Sequence, residues 1–113
     1  MSFYDFSNFK SASDPSIPYT TQKFAISTVP VIHDFLQELG LIARYYRIVN
    51  NDQVNVISFV TESPGNPSDT VPPASEADNY NWTSYISITP NSSTGKGLLE
   101  VQLVKLSDAK VKK

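Results

Sequence analysis

Helical spacing is confined to one short run of this chain, and that confinement limits the possible fold more than any other feature. Ile32, Phe35, Leu36 and Leu39 recur at i, i+3, i+4 and i+7, the spacing of one face of an amphipathic helix. Ser27 or Thr28 supplies a cap, Pro30 fits the first turn and Gly40 gives the stop. A helix of about three turns does not stand alone in water, so its stripe must lie on a sheet or a partner helix.

The remaining apolar segments carry strand patterning instead. From Tyr19 to Ser27, Phe24 and Ile26 share one face and Lys23 takes the other. Leu41–Asn50 and Gln53–Thr61 are rich in β-branched and aromatic residues, and the turn-forming Asn50-Asn51-Asp52 between them reads as a hairpin. In the second of these strands Val54, Val56 and Val60 point one way and Ile57 and Phe59 the other, so both faces are partly covered. Trp82–Thr89 places Trp82, Ile86 and Ile88 toward a core, and Leu98–Leu106 sets Leu99, Val101 and Leu103 against Glu100 and Gln102. The expected fold is mainly β, a sandwich or small barrel of about six strands with one short helix packed on it.

Three segments follow from this reading. Residues 1–18 form an N-terminal arm in which Phe3, Tyr4, Phe6 and Phe9 are set among Ser, Asp and Asn. Rings at this density are costly to leave in water, so the arm docks, either across its own domain or onto a neighbouring subunit. Residues 19–108 form the β-rich domain, and 109–113 a basic tail with Lys110, Lys112 and Lys113. Within the domain, Glu62–Asn81 carries Pro64, Gly65, Pro67, Pro72 and Pro73 and reads as a long loop, because proline cannot donate into a ladder. Ser93-Thr94-Gly95-Lys96-Gly97 has the wrong order for a phosphate-binding loop and reads as a hairpin turn.

Composition removes several functional classes. The 113 residues include no cysteine, which excludes disulfides, zinc-thiolate sites and thiol catalysis. A net charge of -2, with nine scattered basic residues, leaves no concentrated positive face for a phosphate backbone. The opening residues lack the pattern of a secretory signal, and no run approaches the ~18 apolar residues of a membrane helix. No nucleic acid and no membrane partner is therefore expected, and the chain reads as soluble and cytoplasmic unless it is assembled into a larger particle. The sequons at Asn81 and Asn91 then have no route to glycosylation.

No catalytic, cofactor or metal site emerges from the residues. His33 is the single histidine and reads as a partly exposed helix residue. No Gly-x-Ser-x-Gly elbow is present. Asp34 and Glu38, four apart on the expected helix, are explained by a solvated face. Glu76, Asp78, Asn79 and Asn81 offer oxygen atoms to calcium but lack the glycine and terminal glutamate of an EF-hand loop. Tyr80, Trp82 and Tyr85 form an aromatic cluster that suits either packing or a platform for a carbohydrate or peptide.

Taken together, the aromatic arm Phe3–Phe9, the Asn50-Asn51-Asp52 turn, Thr70-Val71-Pro72-Pro73 leading to Trp82-Thr83-Ser84-Tyr85, and the closing Leu98–Leu106 strand resemble small virion structural proteins of tailed bacteriophages, of the capsid-decoration or fibre-base kind. The short helix departs from that pattern. The resemblance implies a cysteine-poor β-fold that forms a symmetric homo-oligomer, a trimer being favoured, and clasps other capsid or assembly proteins within a virion. On this reading the chain is a non-enzymatic structural protein whose interface anchors are Phe3, Tyr4, Phe6 and Phe9, and deletion of residues 2–10 leaves a folded domain that no longer assembles. The alternative is a carbohydrate- or peptide-binding β-module using Tyr80, Trp82 and Tyr85, soluble and monomeric.

Overall fold

The computed structural model describes residues 5–62, 69–90 and 97–111. Phe3, Tyr4 and most of the 93–97 turn lie outside them. In chain order the elements are β1 (Thr20–Ala25), β2 (Val31–Asp34), α1 (Phe35–Leu39), β3 (Leu41–Asn50), β4 (Ile57–Thr61), β5 (Asp69–Val71), β6 (Ser75–Thr83), β7 (Tyr85–Pro90), β8 (Gly97–Lys105) and α2 (Leu106–Ala109). The strands form two antiparallel four-stranded sheets, β1-β8-β3-β6 and β2-β7-β4-β5. The expected mainly β sandwich is present, with eight strands among the described residues in place of about six.

Inward-facing residues of both sheets meet in the main core. Phe24, Leu99, Val101, Leu103, Tyr46 and Ile48 come from the first sheet and Ile57, Phe59, Val71, Ile86 and Ile88 from the second. The alternation expected for Phe24 and Ile26, and for Leu99, Val101 and Leu103 against Glu100 and Gln102, matches their burial.

The expected helix is replaced at its start by a strand. Val31 and Ile32 are β-branched and pair with Ile88 and Ser87 of β7, so the first half of the periodic run is extended. The helix begins only after Asp34, whose Oδ1 accepts from the Gln37 N–H at 3.0 Å, and it ends where expected, at Gly40 with φ 68°. Phe35 enters the main core while Leu36 packs on a second cluster, which places α1 at an end of the sandwich.

Neither expected hairpin forms. β3 pairs with β6 and β8, whereas β4 pairs with β5 and β7, so Asn51–Val56 carries the chain from one sheet to the other. Asn50 makes this arch. Its buried amide donates to the carbonyls of Asn55 (2.8 Å), Val71 (3.1 Å) and Pro72 (3.2 Å), and its Oδ1 accepts from the Asp52 N–H at 3.0 Å. Asp52 Oδ1 then accepts from the N–H groups of Val54 and Asn55, both at 2.8 Å. The chain crosses again between β7 and β8, which share no ladder. Gly97 opens β8 where a Cβ would stand 2.6 Å from the Val49 carbonyl oxygen, a close approach that requires glycine.

Much of the expected 62–81 loop is sheet. β5 and most of β6 lie in it, with Pro72 and Pro73 confined to the turn between them and Ala74 at φ 53°. Ser75–Asn79 has weak intrinsic strand preference and becomes a strand through its ladder with β3. Trp82 also departs from expectation. The chain leaves the first sheet at Ser84, so Trp82 does not share a face with Ile86 and Ile88 but joins a second cluster with Ile17, Ile42, Val104 and Ala109.

Candidate functional site

The outer face of the first sheet changes character along its length. At one end the second cluster is covered by the arm: Phe6, Phe9 and Ala12 pack on it. The Lys10 N–H donates to the Ala109 carbonyl and the Val111 N–H to the Asn8 carbonyl, both at 2.8 Å, tying the arm to the C-terminal segment. Trp82 Nε1–H donates to the Lys10 carbonyl at 2.7 Å, and the Phe9 ring meets the indole edge-on. Further along, charges form a row across all four strands: Lys23 to Glu100 at 3.8 Å, Glu100 to Arg47 at 3.4 Å, and Arg47 to Glu76 at 3.5 Å.

Between these zones lies an arginine held by aromatic rings. A register shift after Ala43 marks the bulge that turns Arg44 and Tyr45 to the same side. Arg44 is 5% exposed and donates through Nε to Gln102 Oε1 at 2.8 Å and through an Nη to the Asp14 carbonyl at 2.7 Å. Its guanidinium lies 4.5 Å from the Tyr19 ring centroid and 5.7 Å from that of Tyr80. Tyr80 also packs on Tyr45 at 4.6 Å. Burial pushes the Tyr45 phenol up to about 12, helped by the Asp78 carboxylate that accepts its hydroxyl proton at 3.1 Å.

The aromatic cluster anticipated at Tyr80, Trp82 and Tyr85 is therefore dispersed. Tyr80 stays half exposed beside Tyr19 and Arg44, Trp82 is buried under Phe9, and Tyr85 belongs to the other sheet. Of the arm anchors, Phe6 and Phe9 lie on their own chain, with ring centroids 5.1 Å apart. Tyr19, Arg44 and Tyr45 carried no signal in the sequence, because only the bulge and the register of β3 on β6 bring them to Tyr80.

Several of the carboxylates are engaged structurally. Asp34 caps α1, Glu76 faces Arg47, and Asp78 accepts from Tyr45. His33 lies on β2, between the rings of Phe24 (4.4 Å) and Phe35 (6.3 Å). Burial holds its imidazole below the ordinary value, against an opposing pull from Glu38. Glu62, a buried acid with no sequence signature, accepts from the Ser84 N–H at 2.9 Å and the Ser84 hydroxyl at 2.5 Å. Its own N–H donates to Thr83 Oγ1 at 3.1 Å, so it clamps the crossing from β6 to β7. Among the described residues, no three His, Asp or Glu side chains gather as metal ligands, and no helix is long and apolar enough to cross a membrane.

The second sheet presents a different surface. Its outer side holds a concavity of about 510 Å³ in which Ile32, Val60 and Tyr85 adjoin Asp34, Gln37 and Glu38. Beside it runs the free edge of β2, where Ile32 is 63% exposed and Val31 37%, with Val29 at 58% just before the strand. This edge, with the face next to it, is the candidate contact site.

No protein-family model, curated protein or solved structure matches the chain.

Proposed function

We propose that this chain is a non-enzymatic structural protein that assembles with copies of itself into a symmetric homo-oligomer and docks that oligomer on a larger assembly. The observation that carries this reading is the distribution of exposed apolar side chains. Ile32, on the outer side of the second sheet, adjoins Val60 and Tyr85, while Val29 and Val31 stand exposed on the other side of the same unpaired strand edge. Apolar exposure on both sides of an unpaired edge favours protein contact. On the outer face of the first sheet the arm covers one end and a row of ion pairs crosses the other.

This reading moves the contact from the arm to β2, because Phe6 and Phe9 are engaged by Trp82 and its neighbours. The resemblance to virion proteins of tailed bacteriophages supports the same class of function and makes the larger assembly a virion particle. Sedimentation of the purified chain across a wide concentration range tests the proposal. A defined oligomer is expected, and a monomer at every concentration would contradict it.

A binding module is the second reading, and one observation favours it. Tyr19 and Tyr80 are each 47% exposed and flank Arg44 on a rigid sheet. Planar rings so placed suit sugar or proline stacking. Chemical-shift changes at Tyr19 and Tyr80 on titration with soluble oligosaccharides or proline-rich peptides would support it.

A further inference from the structure

We infer that β2 is the two-fold contact between copies of this chain, two β2 strands pairing antiparallel about Ile32 so that the second sheet continues across the interface. The inference rests on the homo-oligomer reading and specifies its surface and register.

The argument begins with the four sheet edges. β1 carries Lys23 near its middle, β5 has three residues headed by Asp69, and β6 carries Glu76 and Asp78. Charge and brevity are the usual protections against edge pairing. β2 is also short, but its exposed residues are the adjacent Val31 and Ile32, and its one carboxylate, Asp34, is turned to cap α1.

Backbone geometry then fixes the register. The Phe35 N–H donates to the Ser84 carbonyl of the chain entering β7, and in an antiparallel ladder the inward-pointing groups recur at every second residue. His33 and Val31 therefore direct their backbone groups toward β7. Ile32 directs both N–H and C=O to the free edge, as do the Asp34 N–H and the Pro30 C=O. Centring two copies on Ile32 sets Ile32 opposite Ile32 and Asp34 opposite Pro30. Each Ile32 N–H meets the other copy's Ile32 carbonyl, and each Asp34 N–H meets the other copy's Pro30 carbonyl.

This register leaves no backbone group stranded. Pro30 has no N–H to satisfy, and the Asp34 carbonyl, at the N-cap, already accepts the first helical bond of α1. The donor and acceptor pattern of the edge is thus complementary to itself under a two-fold axis, as an isologous contact requires. Charge agrees with this arrangement, since Asp34 faces Pro30 and not a second carboxylate. The two Ile32 side chains, the most exposed part of β2, meet across the axis.

A bonded antiparallel pair separates opposed Cα atoms by about 5.5 Å and their Cβ atoms by up to ~5.5 Å, wider than a direct disulfide favours but within reach of a short two-headed thiol reagent. The chain has no cysteine of its own. Ile32→Cys treated with a short bismaleimide is therefore expected to form a covalent dimer rapidly, whereas Val54→Cys, at a position 79% exposed but away from β2, should not. Ile32→Pro, which removes the N–H aimed at the free edge and the side chain that meets its copy but no bond to β7, should keep the circular dichroism spectrum and lose the oligomer. An oligomer in which Ile32→Cys cross-links no faster than Val54→Cys would overturn this interface while leaving the assembly reading in place. A wild-type trimer would do the same, because a two-fold contact builds even-numbered assemblies. A wild-type monomer at all concentrations would overturn both.

Discussion

The Phe9 ring stands edge-on to the Trp82 indole, with centroids 5.1 Å apart and planes at 81°. The indole N–H meanwhile donates to the Lys10 carbonyl at 2.7 Å. This relationship makes the arm part of the domain that it covers. Phe9→Ala should shift Trp82 emission to the red, open it to an aqueous quencher, and lower stability by about 2 kcal/mol, below the range for a fully buried phenylalanine because Phe9 is only partly buried. Denaturant titration followed by tryptophan fluorescence measures these effects together. Deletion of residues 2–10 should weaken the fold itself, in contrast to the sequence expectation of a folded domain that merely fails to assemble.

The arch at Asn50 makes a second prediction. Three carbonyls converge on one buried amide whose oxygen also accepts the Asp52 N–H. Asn50→Ala should destabilise by about 2–3 kcal/mol, since several buried polar groups lose their partner together. Asn50→Asp should be no better tolerated, because a carboxylate has no N–H to give. Chemical denaturation of the two variants checks both.

His33 gives the stability a pH dependence of definite sign. Burial lowers its folded-state value beneath the ordinary 6.5, so the unfolded chain takes up the proton more readily than the native one. Its contribution is complete above about pH 6.5 and is lost as the pH falls through the folded value. Asp5 and Asp14, held below 3.8 mainly by hydrogen bonds from Ser7 and Ser16, act only in more acidic solution. Unfolding midpoints at pH 7.5 and 5.0 should therefore fall on acidification, and His33→Phe should remove that decrease.

Tyr45 should be distinguishable spectroscopically. Spectrophotometric titration should show one phenol ionising at about 12, the value set by burial and by the Asp78 carboxylate. Tyr45→Phe should delete that step, and Asp78→Asn should shift it downward.

Legibility in the sequence depended on whether a signal was local. Alternation along β1 and β8 identified Phe24, Leu99, Val101 and Leu103 as core, because inward and outward residues of a strand are set by a two-residue period. Gly40 marked the helix end for an equally local reason. The spacing of Ile32, Phe35, Leu36 and Leu39 is helical and predicts helix across Val31–Asp34. What overrides it is the ladder with β7, a contact between residues more than fifty apart in the chain.

The same limit explains the two missed crossings. Asn50-Asn51-Asp52 has turn chemistry in an arch as in a hairpin, and only the partners Val71 and Pro72 decide which forms. The gathering of Tyr19, Arg44, Tyr45 and Tyr80 depends on a bulge and on the register of β3 against β6, neither of which leaves a periodic trace. The outward edge of β2 was hidden for a related reason, since Ile32 reads as a core residue for as long as its segment reads as a helix.

Self-association through β2 is tested most directly by amide hydrogen exchange at Ile32, measured at high and at low protein concentration. The Ile32 N–H points away from β7, so exchange should be slow in the concentrated sample and should become fast on dilution, while the inward-facing His33 amide stays protected throughout. Fast exchange at Ile32 at every concentration, with the chain oligomeric in the concentrated sample, would contradict the account.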